Sequence, residues 1–409
     1  MCYNKRTNEK GHRSVANKKN LKKIETSYEE LEARLREHRR KVWGRTIVCF
    51  VLLVLLIVGV ELVYALSSFD GYGVKSSTER NSTGVAQYAA FQNYLLEYSN
   101  DGVFCMNERH EIVWNQSFEM LSPQIDMCGE YLVIYDAGGT ELFILTGAGL
   151  QKNIETTSPI QTVCIAEQGT VAVLMKESME SQVKLFDKKG NELANGKFYS
   201  DKGSFPIDIA LSSDAKKLAV NIVDISKGSV STTISFYNFG SVGQSEIDNN
   251  VGSYSYDGLL IPEIRYVSDT RMIGVGNGKI LIFEGEQKPE LAKEIIVEEE
   301  ILSCFHNENY IGIVYDDIEN ENSWKIKVMD MRGRIVMENA VTFAYDHIEF
   351  LENGEICATN ENQCEIFTIH SIKKFYYTFD AELYKILAGN SRQNYTFIFK
   401  DTIEEVILQ

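Results

Sequence analysis

The hydrophobic pattern divides the chain at one uninterrupted apolar run, residues 46–66 (TIVCFVLLVLLIVGVELVYAL). Its only charged residue is Glu61, which lies one helical turn from the second end and can reach the membrane interface there. A helix of this length rises about 30 Å, the thickness of the hydrocarbon core of a bilayer. The run therefore predicts a transmembrane helix that attaches the protein to the lipid bilayer.

The charges on the two sides of this run predict its orientation. Four basic residues lie within 39–45, whereas 67–73 contains a single charged residue, Asp70. By the positive-inside rule, the N-terminus is cytoplasmic and the C-terminal body lies outside the plasma membrane. A cleaved signal peptide is the alternative, but the run is preceded by a long polar segment and exceeds a typical signal core. We therefore expect a single-pass signal anchor.

A second pattern precedes the anchor. Apolar positions between 21 and 42 recur at alternating spacings of three and four, which is a heptad seam. We expect residues 20–45 to form a juxtamembrane helix, either as a parallel homodimer through 21–42 or as a single amphipathic helix on the inner leaflet. Residues 1–19 are polar and lack periodicity, which predicts a disordered, basic cytoplasmic head. The seam residues are Leu21, Ile24, Tyr28, Leu31, Leu35, His38 and Val42.

After the anchor, residues 67–84 (SSFDGYGVKSSTERNSTG) have no apolar period and are rich in Ser, Gly and Thr. This composition is typical of a flexible linker. The folded body would then span 85–409.

The body repeats a short unit, in which an apolar strand, a tight turn and a second strand follow one another. Tyr131–Asp136 and Glu141–Leu145 form one copy, and 169–175 with 182–187 form another. A period of about 40–50 residues with several strands in each repeat is typical of a β-propeller. We therefore expect an all-β ectodomain with seven or eight blades. Eight is favoured, and seven applies if the first and last copies are halves of one blade.

The charge distribution excludes some classes of partner. The whole chain has a formal net charge of −17, although the segment before the apolar run is basic, so the body is strongly acidic. An acidic body argues against nucleic-acid binding and against adsorption to an anionic membrane surface.

Motifs for catalysis or metal binding are absent from the sequence. It contains no CxxC, no HxxxH, no GxSxG and no Walker A loop, so we predict no catalytic residue, no cofactor site and no metal ligand. Cys357 and Cys364 lie on successive strands of one hairpin and are the best candidate disulfide; buried free thiols are the alternative. The acidic loop 316–322 could bind Ca²⁺ through clustered oxygens, but it lacks the EF-hand spacing, which favours a solvated hairpin loop.

Three segments of the body carry a resemblance to a known family. Tyr94–Trp114, Tyr131–Leu145 and Ser158–Leu193 resemble an uncharacterised Firmicutes family of membrane-anchored β-propeller proteins, of the DUF5711 type. More distantly, the repeats are similar to quinoprotein-like and WD40-like blades, although the Trp-Asp dipeptide of WD40 blades is missing. The resemblance implies a fold and a membrane location but no catalytic or cofactor-binding residue.

Together these observations favour a non-enzymatic binding or scaffold module at the bacterial cell envelope. Propellers bind partners through loops on a rigid scaffold, and the partner here would be a protein, a peptide or a glycan on one propeller face. A transmembrane sensor that signals through the juxtamembrane helix is an alternative. An envelope enzyme with a quinoprotein-like site is another; carboxylates with Arg or His facing the central channel would favour it, and an apolar, plugged channel would exclude it.

Overall fold

The computed structural model describes residues 28–65, 67–80, 86–177, 179–199, 203–226, 228–318, 320 and 323–409. The predicted head, 1–19, lies outside the described residues, as do the seam residues Leu21 and Ile24 and the side chain of Leu31. The chain divides into two compact units, with the boundary between Ser67 and Ser68.

The first unit contains a single helix, α1 (Tyr28–Ala65). The predicted juxtamembrane and transmembrane segments are therefore one continuous helix in its described part, with no break at residue 45. Ion pairs one turn apart join Glu32 to Arg36 and Glu37 to Lys41 on its polar part. Among the described residues, α1 is the only helix that is long and apolar enough to cross a membrane. The side chain of Glu61 is outside the described part.

The second unit consists of eight four-stranded antiparallel sheets, which confirms the eight-bladed propeller. Each blade contains strands A to D in order from the centre outward. Blades 1 to 4 comprise β2 (Gln87–Phe91), β3 (Tyr94–Ser99), β4 (Gly102–Met106) and β5 (Ile112–Ser117); β6 (Pro123–Cys128), β7 (Tyr131–Asp136), β8 (Glu141–Thr146) and β9 (Gly149–Glu155); β10 (Ile160–Ile165), β11 (Val171–Lys176), β12 (Glu180–Phe186) and β13 (Glu192–Tyr199); β14 (Ser204–Leu211), β15 (Lys217–Asp224), β16 (Ser231–Asn238) and β17 (Asn250–Asp257).

Blades 5 to 8 comprise β18 (Glu263–Ser268), β19 (Arg271–Gly276), β20 (Lys279–Glu284) and β21 (Glu290–Ile296); β22 (Ser303–His306), β23 (Tyr310–Asp316), β24 (Trp324–Asp330) and β25 (Ile335–Val341); β26 (His347–Phe350), β27 (Ile356–Thr359), β28 (Gln363–Phe367) and β29 (Lys373–Thr378); β30 (Leu383–Ala388), β31 (Asn394–Phe399), β32 (Thr402–Leu408) and β1 (Tyr72–Glu79). Two short 3₁₀ helices, Gly243–Ser245 and Ile247–Asn249, lie in the C–D loop of blade 4.

Because the strands alternate in direction, all connections fall on two faces. The A–B and C–D turns share what we call the lower face, and the B–C turns and the D–A connections share the upper face. Hydrogen bonds between blades follow this division. On the upper face, Ile160 N–H donates to Gly139 O at 2.7 Å, and on the lower face Glu167 N–H donates to Ser213 O at 2.9 Å.

The linker prediction is wrong for its central part. Strand β1, which lies within 67–84, pairs antiparallel with β32 and supplies the outermost strand of blade 8. The N-terminal strand thus closes the ring onto the C-terminal blade. The hydrophobic pattern did not predict this strand, because an outermost strand needs no apolar face. Six of its eight residues are exposed. The chain between helix and first strand is therefore residues 66–71, and the propeller begins before residue 85.

The hydrophobic core lies between neighbouring blades. Apolar strands pack face to face, so that blades 2 and 3 bury Val133 and Ile144 against Val171 and Val173. Tyr72 of the closing strand contacts Phe397 and two further rings of the last blades, with ring centroids 5.1–5.9 Å apart. Burial of both sheet faces explains why the middle strands are continuously apolar rather than alternating.

Candidate functional site

The innermost strands of the propeller carry charged side chains, and these are the first candidates for a site. Arg265 on β18 of blade 5 forms an ion pair with Asp126 on β6 of blade 2. The two residues are 139 positions apart in sequence and belong to blades that are not neighbours. The side chain of Asp126 is 8% exposed and that of Arg265 is 40% exposed. The pair therefore bridges the centre of the ring, and the arginine side remains in contact with solvent.

Carboxylates on the inner strands also join each blade to the next. Asp126 accepts a hydrogen bond from Ile165 N–H of blade 3, and Asp208 of blade 4 accepts one from Ile264 N–H of blade 5, both at 2.8 Å. Burial raises the pKa of Asp208 to about 7, against the opposing effect of its backbone hydrogen bonds. These carboxylates take the place of a direct strand pairing that the radial arrangement does not allow.

Two further charge pairs lie on the inner strands. Glu263 faces His306 at 3.8 Å, and this contact lowers the pKa of Glu263. Lys385 donates to both carboxylate oxygens of Glu349, at 2.6 and 2.8 Å. The centre of the ring is therefore polar and is not an apolar plug. An apolar plug would have excluded the enzyme alternative, so that alternative stays open.

Most of these groups are engaged with one another, however. Asp126, Asp208 and Glu349 each have an arginine, lysine or backbone partner, and these contacts join blades of the ring. Burial raises the pKa of Cys304 to about 12, that of Cys164 further still, and that of Cys128 as well, so the three inner-strand thiols stay protonated and weakly nucleophilic at neutral pH. Among the described residues, no group of three or more His, Cys, Asp or Glu could hold a metal ion.

The upper face carries a second candidate feature, a set of large apolar side chains in solvent. We call it the apolar arc, because it extends over loops of consecutive blades from the D–A connection before blade 2 to the B–C turn of blade 6. Ile318 is 97% exposed, Leu121 89% and Met179 69%. The arc comprises Leu121, Met179, Ile225, Leu260, Leu302 and Ile318.

Charge distinguishes this face from the opposite one. Among the described residues outside the strands, the upper connections hold twelve acidic residues and two basic ones, Arg80 and Lys400. The lower connections hold thirteen acidic and eight basic residues by the same count. The upper face is thus the strongly acidic one. Its acidic residues are Asp101, Glu119, Glu177, Glu298, Glu299, Glu300, Asp317, Asp346, Glu361, Asp380, Glu382 and Asp401.

The third candidate is a cleft of about 420 Å³ on the lower face, between blades 8 and 1. Its walls are the A–B turn of blade 1 at 92–93, the C–D turn of blade 1 at 107–110 and the A–B loop of blade 8 at 389–394. The volume is within the range of small-molecule sites, about 300–1,000 Å³. The lining is mainly polar. Tyr94 is part of the lining, but its ring packs on the other side of its strand, against Gly147 of blade 2.

The sequence-predicted candidates lie apart from these features. Cys357 and Cys364 are buried free thiols, and the register pairs Cys357 with Ile366 rather than with Cys364. Asp317 in the acidic loop 316–322 is buried, and its carboxylate accepts from Ser323 Oγ at 3.0 Å and faces Lys325 Nζ at 3.3 Å. The described part of this loop is thus a structured turn whose buried carboxylate already has partners. Residues 319, 321 and 322 lie outside the described part.

The inner-strand charges and the apolar arc were both missed in the sequence. A charged residue in the middle of an otherwise apolar first strand, as in Gln124–Met127 or Ile264–Tyr266, was the signal for the former. A large apolar residue inside a polar turn, such as Ile318 or Met179, was the signal for the latter. Both signals can be interpreted only once each residue has been assigned to a strand or turn of a blade.

Comparison with known proteins agrees with the fold. The family model described as "Family of unknown function (DUF5711)" matches residues 65–408. The C-terminal WD40 domain of Sif2 superposes with a TM-score of 0.52 at 11% identity, over 84% of this chain and 98% of that one. Among curated proteins no relative matches this chain.

Two further solved structures are similar at lower scores. A structure titled as the eukaryotic initiation factor has a TM-score of 0.49 at 13% identity, over 81% of this chain and 84% of that one. The Pan2 WD40 domain of Neurospora crassa has a TM-score of 0.42 at 11% identity, over 70% of this chain and 88% of that one.

Proposed function

This chain belongs to DUF5711, a family of unknown function, and we propose that it is a membrane-anchored binding module that holds a protein partner on the upper face of its propeller. The apolar arc carries this proposal. Exposed apolar side chains gathered on one face of a folded protein mark interaction surfaces, whereas single ones scattered over the surface need no explanation.

The scaffold supports a binding role in a second way. The upper loops are held by strands of a closed ring, and the loops of neighbouring elements bond to one another, as Gly138 N–H does to Ile160 O at 2.7 Å. Loops fixed on a rigid frame lose little conformational entropy when a partner binds. The WD40-like likeness gives the fold, and the binding role rests on the surface itself.

The acidity of the upper face specifies the partner. The same face holds twelve acidic residues against two basic ones, so a partner that presents Lys and Arg beside an apolar surface is complementary to it. An acidic or uncharged partner would leave this charge uncompensated. The partner is therefore a basic polypeptide.

The location follows from α1 and the charges beside it. We place the helix across the plasma membrane with its N-terminus in the cytoplasm, since basic residues precede the apolar run and none follows it directly. The propeller then acts outside the membrane, at the cell envelope. A signalling role through the 21–42 segment would need this segment to form a dimer.

The test is site-specific photo-crosslinking of the full-length protein in its own membrane. A photoreactive amino acid at Leu121 or at Ile318 should capture the same basic polypeptide from both positions. Raising the salt from 0.1 M to 1 M shortens the Debye length from about 10 Å to 3 Å, so the crosslinking yield should fall.

Ile247 provides the matched control. It is 86% exposed, as apolar as Ile318, and lies in the C–D loop of blade 4 on the lower face. Capture of the same polypeptide from Ile247 with equal yield would contradict the proposal. So would the absence of a common product from the two upper positions.

A further inference from the structure

The cleft between blades 8 and 1 holds polar side chains without protein partners, unlike the paired charges of the inner strands. Within the described part of the chain, five polar side chains of the lining make no side-chain hydrogen bond, although His110 faces Glu405 electrostatically. These groups are available to water or to a ligand. They are Asn93, His110, Glu352, Asn390 and Glu405.

His110 has a positive φ at a turn position where blades 3 and 6 have glycine. The C–D turns of blades 1, 3 and 6 share one geometry, in which a side-chain oxygen of the first residue accepts two backbone N–H groups. The fourth residue has positive φ: 83° at Gly190, 76° at Gly333 and 59° at His110. Blade 7 also has a non-glycine residue at this position of its C–D turn, Ser371 with φ of 65°, so the conformation alone does not indicate a role. In blade 1 the residue at this position, His110, belongs to the cleft lining.

The chemistry of the lining selects the class of ligand. Side-chain amides both donate and accept hydrogen bonds, carboxylates accept, and a neutral imidazole does one of each. Burial lowers the pKa of His110, which keeps it neutral at pH 7. Hydroxyl groups, which donate and accept, are complementary to this mixture.

The charge of the lining points the same way. The lining contains two cationic residues and three acidic ones, so the net charge of the cleft is close to zero. They are Lys75 and Arg109, and Glu108, Glu352 and Glu405. A strongly charged ligand would meet repulsion from one of the two sets. A mainly polar lining also excludes an apolar ligand.

We propose that the cleft between blades 8 and 1 binds a neutral oligosaccharide. The amides of Asn93 and Asn390 bond to its hydroxyl groups from opposite walls, and His110 bonds to it from the turn. This site lies on the lower face, so it is separate from the protein-binding surface and neither depends on the other.

The test uses the full-length protein in lipid nanodiscs, titrated calorimetrically with chitotetraose, cellotetraose and maltotetraose. At least one should bind saturably at one site. The double variant Asn93→Ala, Asn390→Ala removes two exposed amides in turns and should weaken that binding about tenfold or more, since each hydrogen bond contributes about 1 kcal/mol. Asn362→Ala, an exposed turn amide on the upper face without a side-chain bond, is the control and should leave binding unchanged.

His110→Gly separates a ligand-binding role from a structural one. Relief of the positive φ should raise the melting temperature, while binding of the sugar should weaken at least fivefold. A rise in stability with unchanged affinity would overturn the role of His110. Failure of all three sugars to bind, an equal loss in Asn362→Ala, or tetraglycine binding with the same sensitivity to the cleft variants would overturn the site or its sugar class. The crosslinking result at the upper face is unaffected by any of these outcomes.

Discussion

At the scale of single residues, the inner strands show how a propeller uses charge. Its blades are radial, so neighbouring inner strands are joined by side chains rather than by a continuous ladder. Asp126 and Asp208 each accept a backbone N–H of the next blade, and Arg265 ties blade 5 to blade 2. Burying such a charged group without a partner costs free energy, and in this ring the partner makes each group a link between blades.

Asp208 makes stability depend on pH. Its pKa is about 7 in the folded protein and near 3.9 in an unfolded chain, so between pH 4 and 7 the folded state holds a proton that the unfolded state releases. The free energy of unfolding should therefore fall as pH rises through this window and level off above pH 7. In the wild type, this free energy should fall by about 1–3 kcal/mol between pH 5 and pH 8. Thermal melts at the two pH values should show that Asp208→Asn removes the fall.

Asp401→Asn is the control for this experiment, because Asp401 is an exposed carboxylate on the upper face. Its melting temperature should follow the wild-type pH dependence. An Asp208→Asn variant with the full wild-type slope would show that Asp208 is not the titrating group.

The Asp126–Arg265 pair should show strong coupling. Arg265→Met leaves a buried carboxylate with only a backbone partner, and we expect it to cost about 1–3 kcal/mol, with allowance for the solvent-exposed side of the arginine. Asp126→Asn leaves Arg265 partly in solvent and should cost less. Urea unfolding of both single variants and the double variant measures the coupling. Additive costs would show that the pair does not link the two blades.

At the scale of elements, the closing strand β1 decides where the domain begins. Its sequence, Tyr72–Glu79, has polar residues at most positions and no apolar period. Periodicity detects a strand by its buried face, and β1 buries little besides Tyr72. Only the pairing of β1 with β32 reveals it, because that pairing is a long-range backbone interaction.

Two truncations test the role of β1. A chain that starts at Ser68 keeps the whole closing strand, whereas one that starts at Ala86 lacks it and leaves β32 as an open edge. The first should fold as a monomer with a cooperative melt, and the second should aggregate, because unpaired edges recruit other strands. Size-exclusion chromatography and circular dichroism compare them. Equal folding of both chains would show that closure by β1 is dispensable.

At the scale of the whole molecule, the two faces of the propeller differ in composition, and the helix α1 is long and apolar enough to cross a membrane. The upper face combines the apolar arc with excess acidic charge, and the lower face is more nearly balanced and contains the cleft. No single segment contains this asymmetry. It arises because loops far apart in sequence share a face.

Membrane orientation can be tested with thiol labelling of intact cells. The described propeller thiols are buried or half-buried and their pKa values are raised by burial at Cys105, Cys164 and Cys357, among others, so they react slowly. An Ile318→Cys variant exposes a new thiol on the upper face and should react with a membrane-impermeant maleimide before permeabilisation. Cys2, on the predicted cytoplasmic side, should react only afterwards. Labelling of Cys2 in intact cells would reverse the orientation.

The sequence by itself determined the apolar helix, the repeat of apolar strands and the all-β propeller, because each depends on local periodicity. The sequence also favoured the correct blade number, because every blade repeats the same pattern of apolar strands. The tertiary structure alone decided the closure by β1, the pairing of Asp126 with Arg265 and the grouping of Leu121 with Ile318 on one face. These depend on contacts between residues far apart in the chain, and a circular arrangement places them together only once all eight blades are in position.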